Sequence, residues 1–173
     1  MFVNPFNAVL MLCAAAFANI ASQPASAQQV SRTGSFDLAC SAGTAFPLFS
    51  PEGERNWVKD WAPRPVFPDS IVFSRDTVFR EGRAGEEAVW TILDADRQTH
   101  RAEYVRVAPA SHTAHIIVKV EPIGHARSHV VVSYTVTAFG EDGATLLEAF
   151  SEKAYEEKMR NWQRQITEYL EKR

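Results

Sequence analysis

The spacing of strand-like segments between Ile71 and Phe139 constrains the fold more than any other feature of this sequence. The segments with the composition and alternation of strands are Ile71 to Phe79, Ala88 to Asp94, Arg101 to Val107, His115 to Glu121 and Ser128 to Phe139. The separators between them are rich in turn-forming residues and too short for the crossover helices that parallel strands require. The sequence therefore predicts an antiparallel meander.

Alternation along the last two segments predicts which face of the sheet is covered. Successive side chains of a strand point to opposite faces, so the apolar set should face the core. The residues predicted to point inward are Ile116, Val118, Val120, Val130, Val132, Tyr134 and Val136. Those predicted to point outward are His115, Ile117, Lys119, Glu121, Val131, Ser133, Thr135 and Thr137.

Other elements flank the meander on both sides. A short first strand is predicted at Ser35 to Ala39. Ser50 followed by Pro51 is a helix-start signal, and it predicts a short helix from Pro51 to about Asp60. Prolines at positions 63, 65 and 68 then predict an ordered loop, since they exclude both a helix and a central strand. After a turn at residues 141–143, a long amphipathic helix is predicted from about residue 145 to about residue 171.

The order of these elements predicts an α+β architecture. It consists of a strand, a short helical segment, an antiparallel meander and a long C-terminal helix. A twisted sheet of this size wraps around a helix without filling all of the space against it. We therefore expect a cavity between the curved sheet and the C-terminal helix.

The first 27 residues differ from the rest because they contain no Lys, Arg, Asp or Glu. Ala8 to Ala18 is an apolar run of 11 residues, well short of the roughly 20 that a membrane-spanning helix needs. The triplet Ala25-Ser26-Ala27 is of the kind that signal peptidase accepts. We expect residues 1–27 to be a signal peptide cleaved before Gln28, residues 28–173 to form one domain, and the protein to be periplasmic or secreted without a stable membrane anchor. The alternative is a buried N-terminal helix.

Composition and motifs argue against several classes of function. The net charge is -3 and no run of Lys or Arg occurs, which argues against nucleic acid as a partner. Cys40 is the only cysteine after the expected leader, so residues 28–173 cannot form an internal disulfide. A nucleophile elbow, a zinc-protease helix motif and a phosphate-binding Gly-rich loop are absent from the sequence, and we expect no cofactor.

Three stretches resemble bacterial members of the START-like superfamily, also called SRPBCC. They are FSPEGERNW at Phe49 to Trp57, Trp61-Ala62-Pro63, and SYTVTA at Ser133 to Ala138, and the resemblance extends over residues 33–171. It implies the helix-grip fold and a pocket for a small apolar or amphipathic molecule. Some members of the superfamily are lipid carriers and others are aromatases or cyclases, so the resemblance does not decide between binding and catalysis.

Large side chains expected to face the cavity are the candidate ligand contacts. Indole and phenol rings supply apolar contact area together with a polar tip that can orient a ligand. The candidates are Trp57, Trp61, Trp90, Tyr104, Arg106, Val118, Val132 and Tyr134. Core packing would explain the aromatic residues equally well, and the same holds more strongly for Trp162.

Arg106 is the charged member of this set. If Tyr104 points inward, strand alternation puts Arg106 on the same face, where its guanidinium would need an anion such as a ligand carboxylate. In the alternative, Val105 and Val107 point inward and Arg106 is solvated. The sequence leaves both arrangements open.

The remaining polar candidates have structural interpretations. His112 and His115 are three apart on a strand and should point to opposite faces, so they converge poorly on one metal ion. We expect no metal site and histidines that are exposed or at edges. We expect Glu52, Glu54 and Arg55 to cap the short helix and pair locally, with gating of the pocket mouth as the alternative.

These observations predict a protein that binds a small hydrophobic or amphipathic molecule between its sheet and its C-terminal helix. The alternative is a cyclase or hydrolase in which Arg106 or Tyr104 polarises a ligand carbonyl. A third hypothesis, a partner-binding module, would need an exposed apolar patch around Ile117 and Val131 on the outer face. The sequence identifies no catalytic residue and no oligomeric state.

Overall fold

The computed structural model of this chain describes residues 27–139, 145–148 and 150–173. The expected signal peptide, up to Ser26, and the turn expected at residues 141–143 lie outside these residues. In the described part of the chain, no helix is long and apolar enough to cross a membrane.

Seven strands form one antiparallel sheet, in the order β1-β7-β6-β5-β4-β3-β2. The strands are β1 Gln28–Leu38, β2 Arg64–Phe67, β3 Val78–Glu81, β4 Ala88–Asp96, β5 Arg101–Ala108, β6 His112–Pro122 and β7 Ser128–Ala138. Consecutive strands from β2 to β7 are neighbours, and β1 returns to pair with β7. The predicted meander and the α+β class are confirmed.

The inward and outward faces agree with the predicted alternation. Ile116, Val118 and Val120 of β6 are buried, as are Val130, Val132 and Val136 of β7. Ile117 and Val131, on the outer face, are half-buried by their neighbours. The large apolar side chains that are exposed among the described residues lie elsewhere, at Val66, Phe67, Val72 and Ile123.

The structure corrects two predictions before β4. The proline-rich stretch that was expected to be a loop contains β2. Proline is tolerated there because β2 is an edge strand with a neighbour on one side only. The strand expected from Ile71 begins only at Val78. Asp76 has a φ of 67°, a left-handed conformation that interrupts an extended chain at this point.

The segment between β1 and β2 is more helical at its start and less helical at its end than predicted. Helix α1, Ala42–Ala45, leads into a 3-10 turn, Phe46–Phe49, and both were missed by the sequence analysis. Helix α2, Pro51–Glu54, begins at the expected cap, where the Ser50 hydroxyl accepts a hydrogen bond from the Gly53 amide at 2.9 Å. It ends at Glu54 instead of Asp60, whose φ of 61° is incompatible with a helix.

The C-terminal helix, Glu152–Leu170, packs across the inner face of the sheet. Its N-cap Ser151 is extended and separates it from a helical turn at residues 145–148, so the single long helix predicted from residue 145 is divided in two. The helix approaches β1 at Gly34, where a Cβ atom would lie 2.6 Å from Met159 Cγ. Tyr155 anchors it to β7 by donating its hydroxyl to the Val132 carbonyl at 2.8 Å.

Candidate ligand-binding site

A cavity of about 390 Å³ lies where the C-terminal helix crosses the sheet near α2. The sheet contributes aromatic and aliphatic side chains from β3 to β7, and the helices and the 145–148 turn cover them. The lining residues are Phe49, Pro51, Glu54, Val58, Trp61, Phe79, Trp90, Tyr104, Arg106, His112, Ala114, Ile116, Val118, Tyr134, Val136, Leu146, Phe150, Lys158 and Trp162. The predicted space between sheet and helix is therefore present.

The structure brings most of the candidate contacts together in this cavity. The candidates in its lining are Trp61, Trp90, Tyr104, Arg106, Val118 and Tyr134. Trp57 and Val132 lie outside it, which corrects their expected position. The indole N–H of Trp57 donates to the Leu48 carbonyl at 2.8 Å. Val132 is fully buried beneath the C-terminal helix, whose Tyr155 bonds to its carbonyl.

Packed aromatic rings form one end of the cavity. Phe79 and Trp90 are stacked with centroids 5.7 Å apart, and Trp61 meets both rings edge-on. Trp61 is held in place because its indole N–H donates to the Pro51 carbonyl at 2.7 Å. Phe79 lies on a predicted strand, but alternation in that segment did not single it out. The result is a flat-walled apolar compartment suited to a ring system.

The Tyr104 hydroxyl makes a hydrogen bond within the protein. It donates to the Phe49 carbonyl at 2.7 Å, and burial raises the pKa of Tyr104 well above its usual range, so the proton stays in place. Tyr104 therefore has no proton to donate to a ligand carbonyl, one of the roles considered from the sequence. The Tyr134 hydroxyl differs, because it has no hydrogen-bond partner among the residues that the structure describes. Burial likewise raises the Tyr134 pKa and keeps this group neutral.

Arg106 lies on the inner face, so the arrangement in which it is solvated is wrong. Its guanidinium carbon is 5.6 Å from the centroid of the Trp90 ring, and it donates from Nη1 to Nε2 of His112. Burial lowers the Arg106 pKa, but a guanidinium remains charged at any physiological pH. The position follows from strand alternation, because Tyr104 on the same strand also points inward.

His112 corrects the expectation that the histidines are exposed or at edges. It is 9% exposed and lines the cavity, and burial, followed by the charge of Arg106, lowers its pKa. His115 points to the outer face as predicted, where its Nε2 lies 2.6 Å from Glu103 Oε1. Within the described ranges, no group of three or more His, Cys, Asp or Glu side chains is placed to hold a metal ion.

Glu54 and Lys158 are polar lining residues that the sequence analysis did not place in the cavity. Burial raises the pKa of Glu54 to about 8, an effect that Lys158 partly offsets. Burial lowers the pKa of Lys158 to about 8, an effect that Glu54 partly offsets. Burial thus shifts both groups towards their neutral forms, because it penalises charge. The Lys158 ammonium lies 4.1 Å from the centroid of the Tyr134 ring and 5.0 Å from that of Trp162.

The other charged residues of the Pro-Glu-Gly-Glu-Arg motif pair locally, as expected. Arg55 lies 2.8 Å from Glu52 and also donates to the Pro63 carbonyl at 2.6 Å, so it ties α2 to the start of β2. Glu54 points the other way, into the cavity. Glu52 and Arg55 therefore stabilise the local structure, whereas Glu54 contributes to the cavity.

Comparison with known proteins defines the fold. No protein-family model matches the chain, and no curated protein is significantly similar to it in sequence. Norcoclaurine synthase from Thalictrum flavum, solved in complex with dopamine and hydroxybenzaldehyde, superposes with a TM-score of 0.60 at 10% identity over 85% of this chain and 89% of that one. The Zhui aromatase/cyclase from Streptomyces sp. R1128 superposes with a TM-score of 0.59 at 15% identity, covering 79% of this chain and 92% of that one.

A third solved structure also superposes on this chain. Ara h 8.0201 superposes with a TM-score of 0.55 at 12% identity over 79% of this chain and 96% of that one. At these identities the likeness establishes the fold alone. The chain has the helix-grip fold, which is the fold that the resemblance of its motifs implied.

Proposed function

We propose that this protein binds a small hydrophobic or amphipathic molecule in the cavity between its sheet and its C-terminal helix. The observation that carries the proposal is the cavity itself, whose volume of about 390 Å³ falls within the roughly 300–1,000 Å³ of small-molecule sites. Protein interiors normally pack without voids larger than a water molecule, so a space of this size is large enough to be a ligand site instead of a packing defect. Aromatic walls with a few polar groups are typical of such sites.

The structural comparisons support a small-molecule ligand. Norcoclaurine synthase, which shares the fold, holds dopamine and hydroxybenzaldehyde in its crystal structure, and both of these are small aromatic compounds. In this chain the stacked rings of Phe79 and Trp90, with Trp61 edge-on to both, offer a comparable type of surface. A ligand with at least one ring fits this compartment best.

The test uses the uncharged fluorescent probe N-phenyl-1-naphthylamine, which becomes bright in apolar surroundings. We expect saturable binding to the wild-type protein and at least a tenfold loss of affinity in Val118→Phe, because that ring would enter the cavity. Ile117→Phe is the matched control, since the neighbouring residue points to the outer face and should leave the affinity unchanged. Absence of saturable binding, or equal effects of the two variants, would contradict the proposal.

An enzyme of the cyclase or hydrolase kind is the second candidate, favoured by Glu54 and Lys158. Groups with a pKa near the working pH are suited to proton transfer, and both groups have a pKa of about 8 and face the cavity. Hydrolysis of 1-naphthyl acetate to 1-naphthol provides an assay. Catalysis in the cavity predicts that Glu54→Gln lowers the rate at least tenfold while probe affinity is retained. Equal rates in wild type and variant would leave binding as the better explanation.

We also propose that the protein is exported, with residues 1–27 removed. The chemistry of the leader supports this, and so does the position of β1, which begins at Gln28, so cleavage there would leave the sheet intact. Native mass spectrometry of protein from the secreted fraction of its own host would read the N-terminus and any retained molecule together. We expect a chain that begins at Gln28; a retained leader would contradict export.

A further inference from the structure

Two cationic side chains enter the cavity from different walls. Arg106 extends from β5 of the sheet, and Lys158 extends from the C-terminal helix. Tyr134 lies near both cations. The Lys158 ammonium lies over its ring, and the charge of Arg106 lowers its pKa, against the larger effect of burial. The largely apolar cavity therefore contains a cationic region with a contribution from each side.

No carboxylate among the described residues lies within ion-pair distance of either cation, although the charge of Glu81 acts on Arg106 and that of Glu54 acts on Lys158 from farther away. The ion pairs found there involve other side chains and lie mostly at the surface, such as Arg101 with Glu103. Arg106 instead donates to His112, whose lowered pKa keeps it neutral. Glu54 is the one carboxyl group in the described lining, and burial raises its pKa and so favours its neutral form. Partly buried charges without an ion-pair partner are costly, so this region favours an anion.

A hydrogen-bond donor in the same wall adds to this excess. The indole N–H of Trp90 is buried and has no partner among the described residues. Buried donors are normally satisfied, so this N–H leaves the wall next to Arg106 short of an acceptor. The guanidinium and the ammonium belong to lining residues and both donate, so the matching ligand group is an acceptor with negative charge.

We propose that the ligand is an amphipathic carboxylic acid, with its carboxylate between Arg106 and Lys158 and its ring system against Phe79, Trp61 and Trp90. A guanidinium fork matches a carboxylate in two hydrogen bonds, and an ammonium adds a point charge from the other side. This inference rests on the proposed binding function, because it assigns the ligand class of the same cavity. It also accounts for the presence of Arg106 and Lys158 in the cavity, which core packing does not explain.

The test compares 2-naphthoate with 2-naphthamide, which have the same ring system but differ in charge. Isothermal titration calorimetry at pH 7 should show naphthoate binding roughly tenfold tighter or better, the scale of a charge-assisted hydrogen bond. Arg106→Gln and Lys158→Met should each reduce the ratio of the two affinities severalfold, because the carboxylate loses a charged partner and the neutral amide does not. Lys153→Met is the matched control, since it removes an exposed lysine of the same helix and should leave both affinities unchanged.

The outcomes separate this inference from the binding function. Equal affinity for the two naphthyl compounds, tighter binding of the amide, or a preference that survives both substitutions would overturn the carboxylate assignment. If N-phenyl-1-naphthylamine binds but naphthoate does not displace it, the assignment also fails while hydrophobic binding stands. Failure of the neutral probe to bind would overturn the binding function itself. Unfolding midpoints of all variants verify that each is folded.

Discussion

The guanidinium of Arg106 donates a hydrogen bond to Nε2 of His112 across the β5–β6 hairpin. Because an arginine has no acceptor, this contact requires Nε2 to be unprotonated and places the imidazole proton on Nδ1. That nitrogen lies 2.8 Å from the Ser111 hydroxyl oxygen, which can accept it. The neutral imidazole thus holds Arg106 in the cavity without cancelling its charge.

His112 should make folding stability depend on pH. Its pKa in the folded state is below the ordinary value near 6.5, so the unfolded chain takes up more protons as the pH falls through 6.5. This contribution to stability is present above pH 6.5 and is lost at lower pH. Urea unfolding between pH 5 and pH 8 should show that His112→Gln reduces this loss. His125→Gln, at an exposed turn, should behave like wild type; identical slopes for the two variants would contradict the prediction.

Glu54 should act in the opposite direction. Its pKa is raised from an ordinary value near 4.5 to about 8, so the unfolded state releases its proton first and stability is lost as the pH rises from about 4.5 to about 8. Glu54→Gln should therefore be more stable than wild type by about 2 kcal/mol at pH 8.5 and equal to it at pH 4. This gain is smaller than the full pKa shift implies, because water in the cavity screens the charge of the carboxylate. Glu52→Gln, on the exposed side of α2, is the control. A gain that is independent of pH would refute the argument.

Gly53 in the Pro-Glu-Gly-Glu-Arg motif is required by close packing. A Cβ atom at this position would lie 2.0 Å from the Pro47 carbonyl oxygen and 2.8 Å from Leu48 Cα. Gly53→Ala should therefore destabilise the protein by about 3 kcal/mol, since backbone must move. At Gly43 a Cβ atom meets nothing within 4 Å, and Gly43→Ala should change stability by less than about 1 kcal/mol. Chemical denaturation of both variants tests this, and similar costs would contradict it.

Trp57 and Trp90 should differ in what their loss affects. Trp57→Leu removes a buried side chain and its hydrogen bond to Leu48, so the free energy of unfolding should fall by about 3 kcal/mol with probe affinity little changed. Trp90→Leu removes a cavity wall whose N–H is unpaired, so affinity for N-phenyl-1-naphthylamine should fall at least fivefold with a smaller loss of stability. Denaturation and fluorescence titration of both variants decide the matter. The reverse pattern would show that Trp90 serves the core alone.

Local patterns of the sequence were sufficient for much of this structure. Alternation in β6 and β7 predicted the inward faces because a strand has a strict period of two. Short separators predicted the meander, and Ser50 with Pro51 predicted the start of α2, because turns and caps depend on nearby residues. Each of these properties is decided by neighbours in the chain.

The chemistry of the cavity depends on contacts between distant segments. Glu54, His112 and Lys158 have polar side chains that sequence patterns assign to the surface, and only the packing of α2, the sheet and the C-terminal helix encloses them. Likewise the sequence left open whether Arg106 points inward, and the structure places it on the inner face of the sheet. The sequence by itself determined the elements and their faces, because those follow from local periodicity. The tertiary structure alone decided which charges share a cavity, because burial and pKa depend on segments far apart in the chain.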